Sequence, residues 1–344
     1  LLRCGARVLA TSRYPRDAVA RYTQEPDYPA WKHRLRVLGA DFRNAKDVFA
    51  LVSQTKRCLL VWGGEERLHL LVNNAAQTLT DSVSKEERAI EREVGLLETA
   101  ERSGICIQGT YKAKVRGGGL SMALGGIEKE RGLIEDVNTD DKRLANIAKS
   151  SVPQIGGATQ EVTLYTKSSW VQNIFEIPYE DVISAHSVNT FVPLILCREF
   201  LPLMGSPRDS EADHGSSTTK AAGYIINVSS REGIFEDCTD SAGKAGKHVH
   251  TNMSKAALNM ITETEAASAW HCRRVAMNTV DPGYMSAAPE YEKAFDGQRP
   301  IGWEDGAGRV LWPVAISELE GRIVWGRFLK HYGAVEVDPG VGRG

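Results

Sequence analysis

Side chains able to move a proton or steady a charged oxygen gather in the stretch His248-Val-His-Thr-Asn-Met-Ser-Lys255 and at two strand ends near it in the sequence. Lys255 lies in the first turns of an amphipathic helix, with Ala257, Leu258, Ile261 and Thr264 to Ala267 following at helical spacing. Taken singly, a lysine there reads as a solvated surface charge. His250 is next to Thr251, and an unperturbed imidazole titrates near pH 6.5, in the range of an acid or base at neutral pH. Upstream, the run from Gly223 to Ser230 (GYIINVSS) is an apolar strand ending in two hydroxyls. Downstream, Val275 to Val280 is a second strand, broken by Asp281-Pro282-Gly283.

The elements that must position these residues follow from the rest of the chain. Ala6 to Ala10 reads as a short buried strand with Ser12 and Arg13 at its carboxyl end. A broken helical stretch from Pro15 to Trp31 leads to a second strand, Leu35 to Gly39, and then to Asp41-Phe42. Asp41 is a candidate N-cap for a helix running from Asn44 to about Val61. The strand Leu68 to Val72 is almost wholly apolar, as in parallel sheets covered on both faces, and runs into Asn73-Asn74-Ala75-Ala76. Pro178 to Met204 reads as one long apolar helix containing Asn189, whose amide is costly there unless it is bonded. Helix patterns also open at Glu304, and Gly326 to Lys330 reads as a last strand. The alternation predicts an α/β fold, a doubly wound parallel sheet in three layers. Between them, 79–168 departs from that plan and reads as an insertion, partly disordered or lid-like, in which Lys85 to Arg102 is a charged, solvated helix. Its glycine runs, Gly117-Gly118-Gly119 and Gly125-Gly126, lack the spacing of a phosphate loop. The domains are thus 1–78 and 169–332 as two parts of one sheet, with the insertion between and a tail over 333–344 whose Gly-rich end, Gly340 to Gly344, is frayed.

The Asn73-Asn74-Ala75-Ala76 turn, Val188-Asn189, Ser229-Ser230, Ser254-Lys255 and Pro282-Gly283, in this order and context, resemble the short-chain dehydrogenase/reductase family, whose fold is Rossmann-like. The resemblance covers about 1–78 and 168–332. It implies an NAD(P)(H)-dependent oxidoreductase acting on a small-molecule carbonyl or alcohol. Ser230 would steady the substrate carbonyl, and Asn189 would bend its helix and hold a water relaying protons to Lys255. Lys255 would also contact the cofactor ribose, Asp41-Phe42 the adenine, and Asn73 and Ala75 the sheet beside the cofactor. Pro282, Gly283 and Ser286 would line the nicotinamide. Ser12 and Arg13 suit the 2′-phosphate of NADP, where an acid would favour NAD.

Two departures bear on that reading. Four residues before Lys255 the family has a tyrosine, and here the residue is Thr251. A phenol (pKa about 10) can be tuned toward neutrality as a proton donor and an aliphatic alcohol cannot. His250 and Tyr284 are the candidate substitutes. The opening Leu1-Leu2-Arg3-Cys4-Gly5 looks like the end of the helix that follows the family's Gly-rich turn, so the family's first strand and phosphate loop are apparently missing. That reading, of a truncated chain, predicts two sheet edges without partners and weak cofactor binding.

Composition narrows the classes. A net charge of −2 over 344 residues does not point to nucleic acid or anionic membrane. Six cysteines are scattered with no Cys-x-x-Cys pair, which argues against a metal centre or a disulfide framework and for a reducing, cytoplasmic setting. No apolar run has the length of a membrane span. The resemblance also implies a homo-oligomer paired through Pro178–Met204 and Asn252–Trp270. Besides the oxidoreductase, two readings stay open: a catalytically inactive NAD(P)-binding relative serving as sensor or scaffold, and an interaction protein without nucleotide.

Overall fold

The computed structural model describes residues 1–107, 109, 111–116, 168–205, 220–235, 244–285 and 300–335. In chain order the elements are β1 (Val8–Ser12), α1 (Pro15–Tyr22), α2 (Tyr28–Trp31), β2 (Leu35–Gly39), α3 (Ala45–Gly63) and β3 (Leu70–Asn73). Then come α4 (Val83–Gly95), α5 (Leu97–Ser103), β4 (Cys106–Ile107), α6 (Tyr179–His186), a π-helical turn (Ser187–Phe191) and α7 (Val192–Phe200). The remainder is β5 (Gly223–Val228), a 3₁₀ turn (Arg231–Gly233), α8 (Val249–Arg273), β6 (Val275–Asp281), α9 (Trp303–Glu320), β7 (Phe328–Lys330) and β8 (Gly333–Ala334). The fold is α/β and, apart from the β7–β8 hairpin, its ladders are parallel.

These elements divide into two units, Leu1–Ala40 with Asp81–Lys167, and Asp41–Thr80 with Ser168–Gly344. The first holds a sheet in the order β1-β2-β4. Val19 of α1, Trp31, Leu35, Val37, Ala100 of α5 and Ile105 form its core. The start of the segment read as an insertion therefore folds with residues 1–40, and the chain passes from one unit to the other after Ala40 and again after Thr80. Its charged stretch is two helices, α4 and α5, and is not simply solvated: Glu86 and Glu93 of α4 are buried. Glu93 accepts the amides of Arg16 and Asp17 at the start of α1, at 2.8 and 3.0 Å, where a helix N-terminus favours an anion. The glycine runs between 117 and 126 lie outside the described residues.

The second unit holds a sheet in the order β3-β5-β6-β7-β8. Successive strand residues face opposite ways, and both faces of β5 are covered. Ile225 packs with Cys197 of α7, Ala266 and Ala269 of α8, and Met277 of β6. Ile226 and Val228 pack on the other side with Val280, Val310 of α9 and Leu329. This is a doubly wound arrangement, and it explains why β5 and β6 are buried along their whole length. Among the described residues β1 pairs only with β2, and β3 only with β5, so each sheet ends on an open parallel edge.

Two local readings change. The long helix from Pro178 is interrupted by the π turn at Ser187–Phe191, which is centred on Asn189. The N-cap of α3 is Asn44, whose side chain accepts from the Lys46 amide; Asp41 does not cap it. Among the described residues, no helix is long and apolar enough to cross a membrane.

Candidate active site

In the second unit the carboxyl ends of β3, β5, β6 and β7 are tied together by buried polar side chains. Asn73 ends β3 and donates through Nδ2 to Asn227 Oδ1 of β5 at 2.8 Å. Asn227 in turn donates to Thr262 of α8 at 2.9 Å, and Thr279 of β6 donates to the same hydroxyl at 2.8 Å. Asn73 thus joins adjacent strands, while Asn74, Ala75 and Ala76 beyond it are exposed.

Asn189 is fully buried, and its amide is used by protein groups. Its Oδ1 accepts the Gln77 amide at 2.7 Å, and its Nδ2 donates to the Gln77 carbonyl at 3.0 Å and to Ser254 Oγ at 2.9 Å. Thr190 donates to the Ser254 carbonyl at 3.0 Å. A π bulge gives the helix one extra residue per turn, which lets consecutive residues, Asn189 and Thr190, both reach Ser254. The side chain of Asn189 therefore docks the loop after β3 and the middle of the helix onto α8, one residue from Lys255.

Lys255 is buried, and its Nζ donates to the Val228 carbonyl at the end of β5, at 2.9 Å. Burial pulls its pKa down to about 8, while the negative charge of Asp281 pushes the other way. Ser230, two residues beyond Val228, is in extended backbone, and its carbonyl accepts the Gly233 amide to close the 3₁₀ turn. That turn sits on α8 so closely that a Cβ on Gly233 would lie 2.6 Å from the Lys255 carbonyl carbon. Ser230, Lys255 and Asn189 thus lie in one unit.

Thr251 is buried one turn before Lys255, with Oγ1 3.4 Å from His250 Nε2. His250 is also buried, its Nδ1 has no hydrogen-bond partner, and burial, reinforced by His248 and His186, lowers its pKa to about 4. At neutral pH it is an uncharged imidazole, which corrects the expectation of an acid titrating near 6.5. His248 has a different task. Its ring stacks on Trp170 (centroids 4.1 Å apart, 9° between planes), its Nδ1 is 2.8 Å from the Trp170 carbonyl and its Nε2 3.4 Å from Glu232. It adopts a left-handed backbone (φ 41°) as it enters α8, anchoring 170–172 there. Tyr284 is half-buried just past the Pro-Gly turn, and Ser286 lies outside the described residues.

The remaining cofactor candidates are held by protein partners. Asp41 is buried and its carboxylate is clasped by Arg43, with Nη2 at 2.7 Å and the Arg43 amide at 2.9 Å. Phe42 packs against the cluster of Val48, Val52, Val192, Leu196 and Phe200, and its carbonyl accepts from Ser187. In the first unit, Ser12 Oγ accepts the Tyr14 amide, and Arg13 pairs with Glu86 at 3.3 Å and Asp81 at 4.0 Å.

Sequence patterning gave no hint of Asp281 beyond a turn. It is buried: Oδ2 accepts from Lys330 of β7 at 2.7 Å and from the Arg231 amide at 3.0 Å, and Oδ1 from the Gly283 amide at 2.7 Å. The signal available was an acid closing a largely apolar strand.

No protein-family model matches the chain. The uncharacterized protein R665 of Acanthamoeba polyphaga mimivirus is 27% identical over 341 residues, with 92% of this chain and 59% of that protein covered. The chain therefore spans less than two thirds of that relative's length. Among solved structures, the reductase LugOII, which catalyses keto-reduction at C1 in lugdunomycin biosynthesis, is 18% identical over 96% of this chain and 86% of that one, with TM-score 0.49. NADPH-bound carbonyl reductase from chicken fatty liver is 14% identical over 96% and 99%, with TM-score 0.47.

Proposed function

We propose that the second unit carries the reaction site of a nicotinamide-dependent oxidoreductase that interconverts a small carbonyl compound and its alcohol, of the short-chain dehydrogenase/reductase type. The observation that carries this reading is Lys255. A buried ammonium has three N–H donors, and the Val228 carbonyl takes one. Burying an ammonium is costly unless ligands or partners satisfy it. A ribose hydroxyl and a substrate oxygen meeting it at the carboxyl ends of the strands would satisfy the rest, so these residues fit a dinucleotide. When bound, a reduced nicotinamide supplies the hydride. The chain's own contributions are a hydroxyl on Ser230 to donate to the carbonyl oxygen, an ammonium on Lys255, and a frame of Asn73, Asn189 and Asp281 that fixes both.

NADP is preferred to NAD because Ser12 and Arg13, with no acid, end β1. A 2′-phosphate must share Arg13 with Glu86 and Asp81, so Glu86→Gln is expected to favour NADPH over NADH, and Arg13→Ala to remove the preference. The inactive alternative is favoured by one observation: Thr251 supplies no phenol and His250 is neutral. The test is NADPH fluorescence titration with turnover on a panel of aldehydes and ketones. Binding with turnover supports the enzyme, binding without turnover the sensor or scaffold, and no binding overturns both. Self-association through α6–α8 belongs to the same proposal. Ile183, Phe191 and Leu194 on one helical stretch and Met253 and Met260 on α8 expose large apolar side chains.

A further inference from the structure

Thr251 and Lys255 are one helical turn apart on the same face of α8, and both are buried. The ammonium is held at the end of β5 by the Val228 carbonyl. The turn that follows Ser230 is pressed on the helix backbone at Lys255 through Gly233, and Asn259 Nδ2 donates to the Gly233 carbonyl at 3.1 Å. Asp281 locks that turn from the other side. One carboxylate holds the Arg231 amide, the Gly283 amide and Lys330 Nζ, so the ends of β5, β6 and β7 cannot shift independently.

We propose that Lys255 is the proton donor of this site in place of the missing phenol, and that Asp281 is its positioning residue. The proposal rests on the carbonyl-reduction reading above. As the carbonyl carbon gains a hydride from a reduced nicotinamide, the C=O π pair moves to oxygen and forms an O–H bond with a Lys255 proton. The N–H bond breaks, its pair stays on nitrogen, and solvent water reprotonates the amine. In the oxidative direction the neutral amine takes the alcohol proton.

The alternatives on the same elements are weaker. Thr251 is an aliphatic alcohol, and His250 carries a proton only well below neutral pH. A buried ammonium that ionises near 8 is charged at pH 7 yet acidic enough to give its proton up. The charged and titratable groups on the elements packed around Lys255 include Asp281 on β6, Lys330 on β7, Tyr224 on β5, Arg231 and Glu232 on the 3₁₀ turn, Lys244 beyond it, Glu180, Asp181 and His186 on α6, and His248 and His250 at the start of α8. Of these, Asp281 acts directly on the ammonium, and in the direction that keeps it protonated.

The test joins a titration of the free protein to the pH profile of reduction. With lysines labelled at the ε-carbon, one resonance is expected to titrate near pH 8, to vanish in Lys255→Arg, and to move to lower pH in Asp281→Asn. Carbonyl reduction is expected to fall above the same midpoint, to shift with it in Asp281→Asn, and to drop roughly 100-fold in Lys255→Arg and Lys255→Met. Circular dichroism checks that each variant folds. The proposal is overturned if every lysine titrates near 10, if Lys255→Met retains turnover within a few fold, or if the resonance moves in Asp281→Asn while the profile stays. A lysine titrating as expected in a protein that reduces no carbonyl overturns the oxidoreductase reading itself, and the donor role with it.

Discussion

His250 should make the second unit acid-sensitive, and the size of the effect follows from its burial. Its ring is 1% exposed, Nδ1 has no partner, and its pKa falls from 6.5 to about 4 on folding. A depressed folded-state pKa means that the unfolded chain binds the proton first as pH falls. The stabilisation is therefore present above pH 6.5 and is lost on the way down to 4. Integrating the two titration curves, going from pH 7 to pH 5 removes about 2 kcal/mol, and going on to pH 4 removes about 1 kcal/mol more. The assay is urea unfolding of the wild type and His250→Gln at pH 7 and pH 5. Glutamine keeps a polar side chain of similar reach but does not ionise. The wild type should lose about 2 kcal/mol more than the variant between the two pH values. The difference between proteins cancels the other carboxylates and histidines. Equal losses in both, or an imidazole resonance titrating near 6.5 in the folded protein, would refute the reasoning and return His250 to the candidates for proton donor.

Three further outcomes are expected. Asn189→Ala strips partners from the Gln77 amide and carbonyl and from Ser254, so urea unfolding should show a loss of about 3 kcal/mol; a loss below about 1 kcal/mol would mean that the π turn does not depend on this amide. Burial pushes the Cys197 thiol up to about 12, so a thiol-reactive dye at pH 8 should label exposed Cys4 and Cys272 in the native protein and reach Cys197 only after denaturation; native labelling at Cys197 would show that the core beneath α7 opens. Sedimentation should find self-association of the wild type at micromolar concentration, weakened in Phe191→Glu and in Met260→Glu without loss of helix; an unchanged distribution would remove α6–α8 as the contact.

What the sequence disclosed was whatever depends on neighbours along the chain. β5 and β6 are mainly apolar because both of their faces are covered, and their ends are marked by Ser229-Ser230 and Pro282-Gly283. α8 announces itself by helical spacing, and with it the separation of Thr251 from Lys255. The parts that could not be read depend on partners far away in sequence. Glu86 and Glu93 look solvated in a charged stretch until β1 and α1, some seventy residues earlier, supply Arg13 and the amides of Arg16 and Asp17. The π turn leaves no mark on hydropathy, because its cause is the backbone of Gln77 meeting the amide of Asn189.

The same limit hid the chemistry. Lys255 and Thr251 can be named from a motif, but whether an ammonium or an imidazole keeps its proton is set by burial and by charges on other strands. His248 and His250 show the point at its sharpest. Two residues apart, one is stacked on Trp170 and paired with Glu232, and the other is sealed in with Thr251 as its polar neighbour. A comparison of alanine variants at the two would mix an anchor with a buried neutral ring. Only a titration tells which group is an acid at pH 7; for Lys255 burial sets the direction, and the carboxylate of Asp281, silent in the sequence, opposes it.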